Sequence, residues 1–380
     1  MGHKPRFDPK NRIPVQEEIL KFCSSLVVLG LLAEEIKQSF SLAQYSARYW
    51  VGHARVAEYY SETVRTLAIE FFSYKSSYTT CYRLYNPDQP WKEKPNEWEK
   101  LGPPLYYASL GGLASSVQAL LNKGADVNAQ GGYYDNALQA ASFRGHEKVV
   151  QMLLDKGADV NAQDGHYGNA LYAASFEGYE KVVQILLDKG ANVNAQGGDY
   201  DNALYAASSE GHEKVVQMLL NNGADVNAQG GHYGNALQAA SFRGHEKVVQ
   251  ILLDKGADVN AQGGDYDNAL YAASSEGHEK GGHYGNALQA ASFRGHEKVV
   301  QILLDKGANV NAQGGYYDNA LYAASSEGHE KVVQMLLDKG ANVNAQGGYY
   351  GNALQAASFR GHEKVVQMLL NKGATMNVMG

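Results

Sequence analysis

Along most of the chain, apolar and polar positions recur in one fixed order. An Asn is followed by Ala-Leu-x-Ala-Ala-Ser, then a Gly, a charged Glu-Lys pair, Val-Val-x-x-Leu-Leu and a second Gly. In the stretch that begins at Asn136, the small apolar face of Ala137, Leu138, Ala140 and Ala141 predicts a short helix that lets neighbouring helices approach closely. Asn136 suits its N-cap, because the side-chain oxygen can accept from otherwise orphaned N–H groups. Gly145 ends that helix. Val149, Val150, Leu153 and Leu154 fall at i, i+1, i+4 and i+5, the stripe of a second helix with one buried face, which Gly157 ends. Asp159 to Gln163 leads into the next turn.

The unit has a period. Asn-Ala-Leu recurs with its Asn at 136, 169, 202, 235, 268, 286, 319 and 352, always 33 residues apart except for one interval of 18. A 33-residue repeat fits one β-turn plus two helices. In the short interval, residues 263–280 copy 197–214 letter for letter and 281 begins as 230 does, so the 15 residues equivalent to Val215–Gln229 are missing. They are the whole second helix and its exit turn. Losing its core side chains removes burial on the order of 10 kcal/mol. This predicts interrupted stacking near Lys280–Gly281, with two blocks, 98–262 and 281–380, and residues 263–280 as an imperfect junction. A deletion between near-identical repeats or an error in the gene model is the expected origin of the gap, and a selected hinge is the alternative.

Gly145-His146, Val149-Val150, Leu153-Leu154 and Gly157-Ala158-Asp159-Val160-Asn161-Ala162 resemble the ankyrin-repeat family, and the likeness recurs in register over roughly residues 98–380. It implies an all-α fold with short β-turn or hairpin connections: an ankyrin-repeat solenoid preceded by a small helical region. Full units fall near 98–130, 131–163, 164–196, 197–229, 230–262, 281–313, 314–346 and 347–380, with the truncated unit at 263–280. Two departures recur. The family's Thr-Pro-Leu-His becomes Asn-Ala-Leu-Gln or Asn-Ala-Leu-Tyr, and Tyr134 and its equivalents stand where a turn Gly is usual. The first unit, with Pro104-Leu105-Tyr106-Tyr107-Ala108, is divergent in the way of a capping repeat.

Residues 1–97 are different in kind, a helical region and linker. Helical character covers Pro14–Phe22 and Ser39–Ser73, with Ser61 as a cap, and the Pro- and Trp-rich stretch Asn86–Lys100 reads as the entry to the array. Leu42-Ala43-Gln44-Tyr45-Ser46-Ala47-Arg48-Tyr49-Trp50 with His53-Ala54, and Cys81-Tyr82-Arg83-Leu84-Tyr85-Asn86-Pro87, resemble a helical segment of fungal NACHT–ankyrin proteins. Ile19 to Val27 is similar, more weakly, to the stretch that follows their nucleotide-binding module. The sequence contains no G-x-x-x-x-G-K-[ST], so it lacks a phosphate-cradling loop.

Composition narrows the function. A net charge of −7 argues against gripping nucleic acid or an anionic membrane. The longest apolar run, Leu26 to Ala33, is far short of the ~20 residues that span a bilayer. Cys23 and Cys81 make no disulfide scaffold, and a cytoplasmic chain is expected, with the nucleus as the lesser alternative. No nucleophile–base pair, metalloprotease helix or C-x-x-C is present, so no enzyme activity and no cofactor are expected. The histidines of Gly-His, from His146 to His362, come one per repeat, too far apart to share a metal ion at about 2.1 Å.

The expected role is therefore protein binding, to a partner the sequence does not name. Comparing units within the chain shows where they vary. Tyr133, His166, Asp199, His232, Asp265, His283, Tyr316 and Tyr349 occupy the turn, beside Asp135. On the first helix, Gln139, Gln238, Gln289 and Gln355 alternate with Tyr172, Tyr205 and Tyr322. Phe143-Arg144, Phe242-Arg243, Phe293-Arg294 and Phe359-Arg360 alternate with Ser-Glu pairs such as Ser209-Glu210, and Phe176 stands at the same position. These are the hairpin-tip and inner-helix positions that bind partners in the ankyrin family. Tyr and Arg suit binding hot spots because they join area to directed hydrogen bonds. Tyr134, Tyr167, Tyr200, Tyr233, Tyr266, Tyr284, Tyr317 and Tyr350 never vary and are expected to stack repeat on repeat. The alternative to a free-standing binding module is a non-functional remnant or fragment of a signalling NACHT–ankyrin receptor of innate-type recognition.

Overall fold

A computed structural model describes residues 43–58, 60–73, 78, 79, 81, 85, 101–197, 202–231, 233–263, 285–315 and 317–376. The helix expected over Pro14–Phe22, the linker Asn86–Lys100 and all of the truncated unit except Gly263 lie outside the described residues. The described residues are helical with turns between, and the only extended pairing among them is two isolated antiparallel bridges, Gln229–Asn235 and Gln346–Asn352. The chain divides into two compact units, Met1–Asn192 and Val193–Gly380.

In the first unit, α1 (Ala43–Ala57) and α2 (Glu62–Ser73) form a small pair. Ser61 caps α2, its Oγ accepting from the Val64 N–H at 3.2 Å, as expected. The pair buries Trp50, Ala54, Val64, Phe71 and Phe72, and the Trp50 and Phe71 rings lie 4.4 Å apart between centroids. The divergent repeat follows as α3 (Pro104–Leu110) and α4 (Ala114–Asn122), with Pro104 in the first turn, where its missing N–H costs nothing. Glu58 ties the two parts together, accepting from the Ser115 N–H at 3.3 Å. Burial raises its carboxyl above the usual range, against the lowering effect of the Ser115 and Ala114 N–H groups. One side of the capping repeat thus meets α2. The other meets α5 (Ala137–Phe143) and α6 (Glu147–Asp155), followed by α7 (Ala170–Phe176) and α8 (Glu180–Asp188).

The second unit holds α9 (Ala203–Glu210), α10 (Glu213–Asn221), α11 (Ala236–Arg243), α12 (Glu246–Asp254), α13 (Ala287–Arg294), α14 (Glu297–Asp305), α15 (Ala320–Ser326), α16 (Glu330–Asp338), α17 (Ala353–Phe359) and α18 (Glu363–Asn371). Each repeat gives one short inner helix and one nine-residue outer helix. Every Asn cap among the described residues holds, each side chain accepting from the third residue on, from Asn169–Tyr172 at 2.8 Å to Asn286–Gln289 at 3.0 Å. Val248, Val249 and Leu252 are buried, as are their counterparts Val299, Val300 and Leu303.

The stacking is not interrupted at the short interval. α11 packs on α13, and α12 on α14, as other neighbours do. The Asn260 side chain reaches the Gly307 carbonyl at 3.4 Å across 47 residues, the bond that Asn227 makes to Gly256 across 29. His296 meets the Phe242 carbonyl at 2.9 Å across 54 residues, where His329 meets that of Phe293 across 36. Lys306 pairs with Asp254 at 2.8 Å. The repeat at 230–262 is followed in space by the one at 285–313, and the expected break is corrected. The physical reason is that a repeat interface depends on which faces meet, not on how much chain separates them.

Candidate functional site

The residues that vary between repeats separate into two layers. Gln139, Gln238 and Gln289 are 1% exposed, and Tyr172, Tyr205 and Tyr322 are 1–2% exposed. As surface for a partner, these first-helix positions are corrected: all six are buried, and Tyr205, Tyr322, Gln238 and Gln289 point along the array into the next hairpin. The Tyr205 hydroxyl accepts from the Tyr233 N–H and that of Tyr322 from the Tyr350 N–H, both at 3.1 Å. Tyr106 does the same for Tyr134 at 3.2 Å. Where the helix carries Gln, its Nε2 donates to backbone carbonyls instead: Gln289 to Asp318 at 2.8 Å, Gln238 to Gly263 at 3.2 Å. A turn Gly makes room for the ring. A Cβ at Gly132 or Gly231, both at positive φ, would strike Tyr106 or Tyr205. Gln355, in the last repeat, is half-buried.

The second layer remains at the surface. Phe143, Phe176, Phe242 and Phe293 are half-buried, while Arg144, Arg243, Arg294 and Arg360 are exposed. Each Phe lies on an invariant hairpin Tyr: Tyr134–Phe143 at 4.6 Å, Tyr233–Phe242 at 4.5 Å and Tyr350–Phe359 at 4.4 Å between ring centroids. These pairs lie within one repeat; across repeats, Tyr134 stacks on Tyr167 with centroids 5.7 Å apart. Arg243 pairs with Glu210 of the preceding repeat at 3.8 Å, and Arg360 with Glu327 at 2.9 Å. At the short interval two repeats of like kind meet, and Arg294 sits 4.9 Å over the Phe242 ring instead. Among the hairpin tips, Tyr133 and His166 are half-buried with rings 4.7 Å apart, Asp135 holds a left-handed backbone at φ 72°, and Tyr349 is exposed. Asp199, His232, His283 and Tyr316 lie outside the described residues.

The Gly-His histidines have a structural use that sequence spacing did not reveal. His146 Nε2 lies 3.0 Å from the Leu110 carbonyl and His245 Nε2 2.9 Å from that of Ser209, so each ring staples its repeat to the one before. Burial pulls the His146 imidazole down to about 4, with the Leu110 bond opposing and Arg55 and Arg144 adding to the fall. No group of three or more candidate metal ligands occurs among the described residues. The outer helices carry a charged surface. The Lys306 ammonium, with Gln250, holds the Asp254 carboxyl below its usual range.

The family profile described as ankyrin repeats in three copies matches residues 71–164, 105–197, 170–263, 204–314, 263–347 and 288–379. The chain belongs to the ankyrin-repeat family. The human ASB11 ankyrin repeat domain, known from its crystal structure, shares the fold at TM-score 0.51 and 24% identity, over 63% of this chain and 99% of that one. A curated relative, azaphilone pigments biosynthesis cluster protein L of Monascus ruber, is 43% identical over 150 residues. That match spans 35% of this ankyrin chain and 32% of the relative. No described helix of the ankyrin array or of α1–α2 is long and apolar enough to cross a membrane.

Proposed function

We propose that the array is a non-enzymatic docking surface that holds a partner protein through the Phe-Arg rows and the hairpin tips. The observation that carries this reading is the surface at the short interval. There Phe242-Arg243 and Phe293-Arg294 stand on adjacent repeats, and Arg294 lies over an aromatic ring rather than against a carboxylate. Exposed guanidinium groups beside half-buried rings combine directed hydrogen bonding with apolar area, the chemistry enriched at binding hot spots. It suits a partner that presents carboxylates next to apolar side chains. Within the second unit the support is bonded from repeat to repeat, as by His245 to Ser209, His296 to Phe242 and His329 to Phe293. Proximity labelling with the full chain tests this. Partners marked by the unaltered chain should be lost from R243E/R294E and kept by K247Q/K298Q, which alters only the outer helices. The same set from both variants contradicts the reading.

A second reading makes the array the sensing part of a signalling receptor of the NACHT–ankyrin kind. The union of α1–α2 with the first repeat through Glu58 favours it, because occupancy of the array would reach whatever lies beyond α1. Transcript sequencing upstream of Met1 decides it: an in-frame phosphate-loop module supports the receptor, and its absence there contradicts it.

A further inference from the structure

A cavity of about 410 Å³ lies between α1, α2 and the first repeats. Its size is that of a small-molecule site. The floor is aromatic and apolar: Trp50, Phe71 and Phe72 form one cluster, with centroids 4.4–5.7 Å apart, and Tyr78 faces Tyr107 at 6.0 Å. Among the described lining residues the charged groups are Arg48, Arg55 and Arg144, beside the His146 ring, and none is a carboxylate. The three arginines are exposed at the rim, while the rings below are buried. No ion pair to Arg48 or Arg55 is found among the described residues, and Arg48 stands 5.8 Å over the Tyr85 ring. In a chain of net charge −7, this is a concentration of positive charge above an apolar floor. The downward pull of Arg55 and Arg144 on the His146 imidazole shows that their field reaches the cavity wall.

We propose that this cavity binds a small aromatic carboxylate, its ring among Trp50, Phe71 and Tyr107 and its anionic group at Arg48 and Arg55. A guanidinium takes a carboxylate in bidentate fashion, and the water-poor floor strengthens that pair. The ring replaces water against aromatic edges. An uncharged molecule of the same shape gains only the second part. Arg48 and Arg55, which hold the anionic group, lie on α1, outside the Phe-Arg rows of the repeats.

The test uses the full chain, isothermal titration calorimetry and two probes, 1-naphthoate and the neutral 1-naphthalenemethanol. Naphthoate should bind at least tenfold more tightly than the alcohol. R48Q/R55Q should weaken naphthoate about tenfold and leave the alcohol within twofold. V51W, which fills the cavity from α1, should weaken both probes and serves as the second variant if the double substitution unfolds. Equal affinity for the two probes, retention of naphthoate by folded R48Q/R55Q or by folded V51W, or no binding at all overturns the proposal.

Discussion

Two interfaces in the second unit join the same kinds of helix yet differ in surface chemistry. At the ordinary one, the repeat at 285–313 meets that at 314–346; at the short one, the repeat at 230–262 meets that at 285–313. The bonds that join the repeats are alike. His329 reaches Phe293 as His296 reaches Phe242, and Lys339 pairs with Asp305 on the outer helices as Lys306 pairs with Asp254. The Phe-Arg surface diverges. Alternation elsewhere sets an Arg beside a Glu of the neighbouring repeat, as at Arg360–Glu327 and Arg243–Glu210, whereas the short interface brings two Phe-Arg repeats together. A solenoid can lose half a repeat without losing its stack, because each interface is local, but the loss changes which side chains become neighbours on the surface.

The largest effect that could break this equivalence is in the core. Leu252 and Leu336 are both fully buried, one beside the short interface and one beside the ordinary one. Replacing either with Ala should cost about 2–5 kcal/mol, with the two losses within about 1 kcal/mol of each other by chemical denaturation. A Leu252→Ala cost near zero would mean that the short interface is not packed.

Acid gives a smaller effect. Burial lowers the folded His146 from its ordinary 6.5 to about 4, so between those values the unfolded chain holds the extra proton. Stability should be flat above about pH 6.5 and fall on acidification towards pH 4, by about 1–2 kcal/mol once partial exposure is discounted. H146Q should flatten that slope. Burial, chiefly, also lowers His296 at the short interface, so H296Q should reduce the acid loss of the second unit in the same direction. An unchanged slope in both variants would show that the rings are not the cause.

The period of 33, the Asn caps and the Val-Val-x-x-Leu stripe were legible in the sequence because they are local: each needs only a residue type at a fixed spacing. The role of Gln238 and Tyr205 was not. Variation between repeats suggested exposure, yet Gln Nε2 and Tyr hydroxyl are two ways of binding the next hairpin's backbone, and both are buried. What remains of the surface site, Phe242-Arg243 and Phe293-Arg294, was legible as a variable row. Its continuity across the short interval was not, because chain separation carries no information about which faces meet.

The smallest expected effect is at the surface. Glu327→Gln releases Arg360 from its partner and should change stability by less than about 1 kcal/mol, since exposed ion pairs contribute little. If surface chemistry is separable from stacking, R294Q should be equally mild.

The central claim is that the repeat at 230–262 stacks directly on the one at 285–313. Nitroxide pairs in a C23S/C81A chain, read by dipolar broadening, measure it. Labels at Gln250 and Gln301 should lie as close as labels at Gln301 and Gln334, with helix axes about 8–10 Å apart in each case. An unbroadened Gln250–Gln301 spectrum beside a broadened Gln301–Gln334 spectrum would contradict the direct stack, and with it the paired Phe-Arg surface.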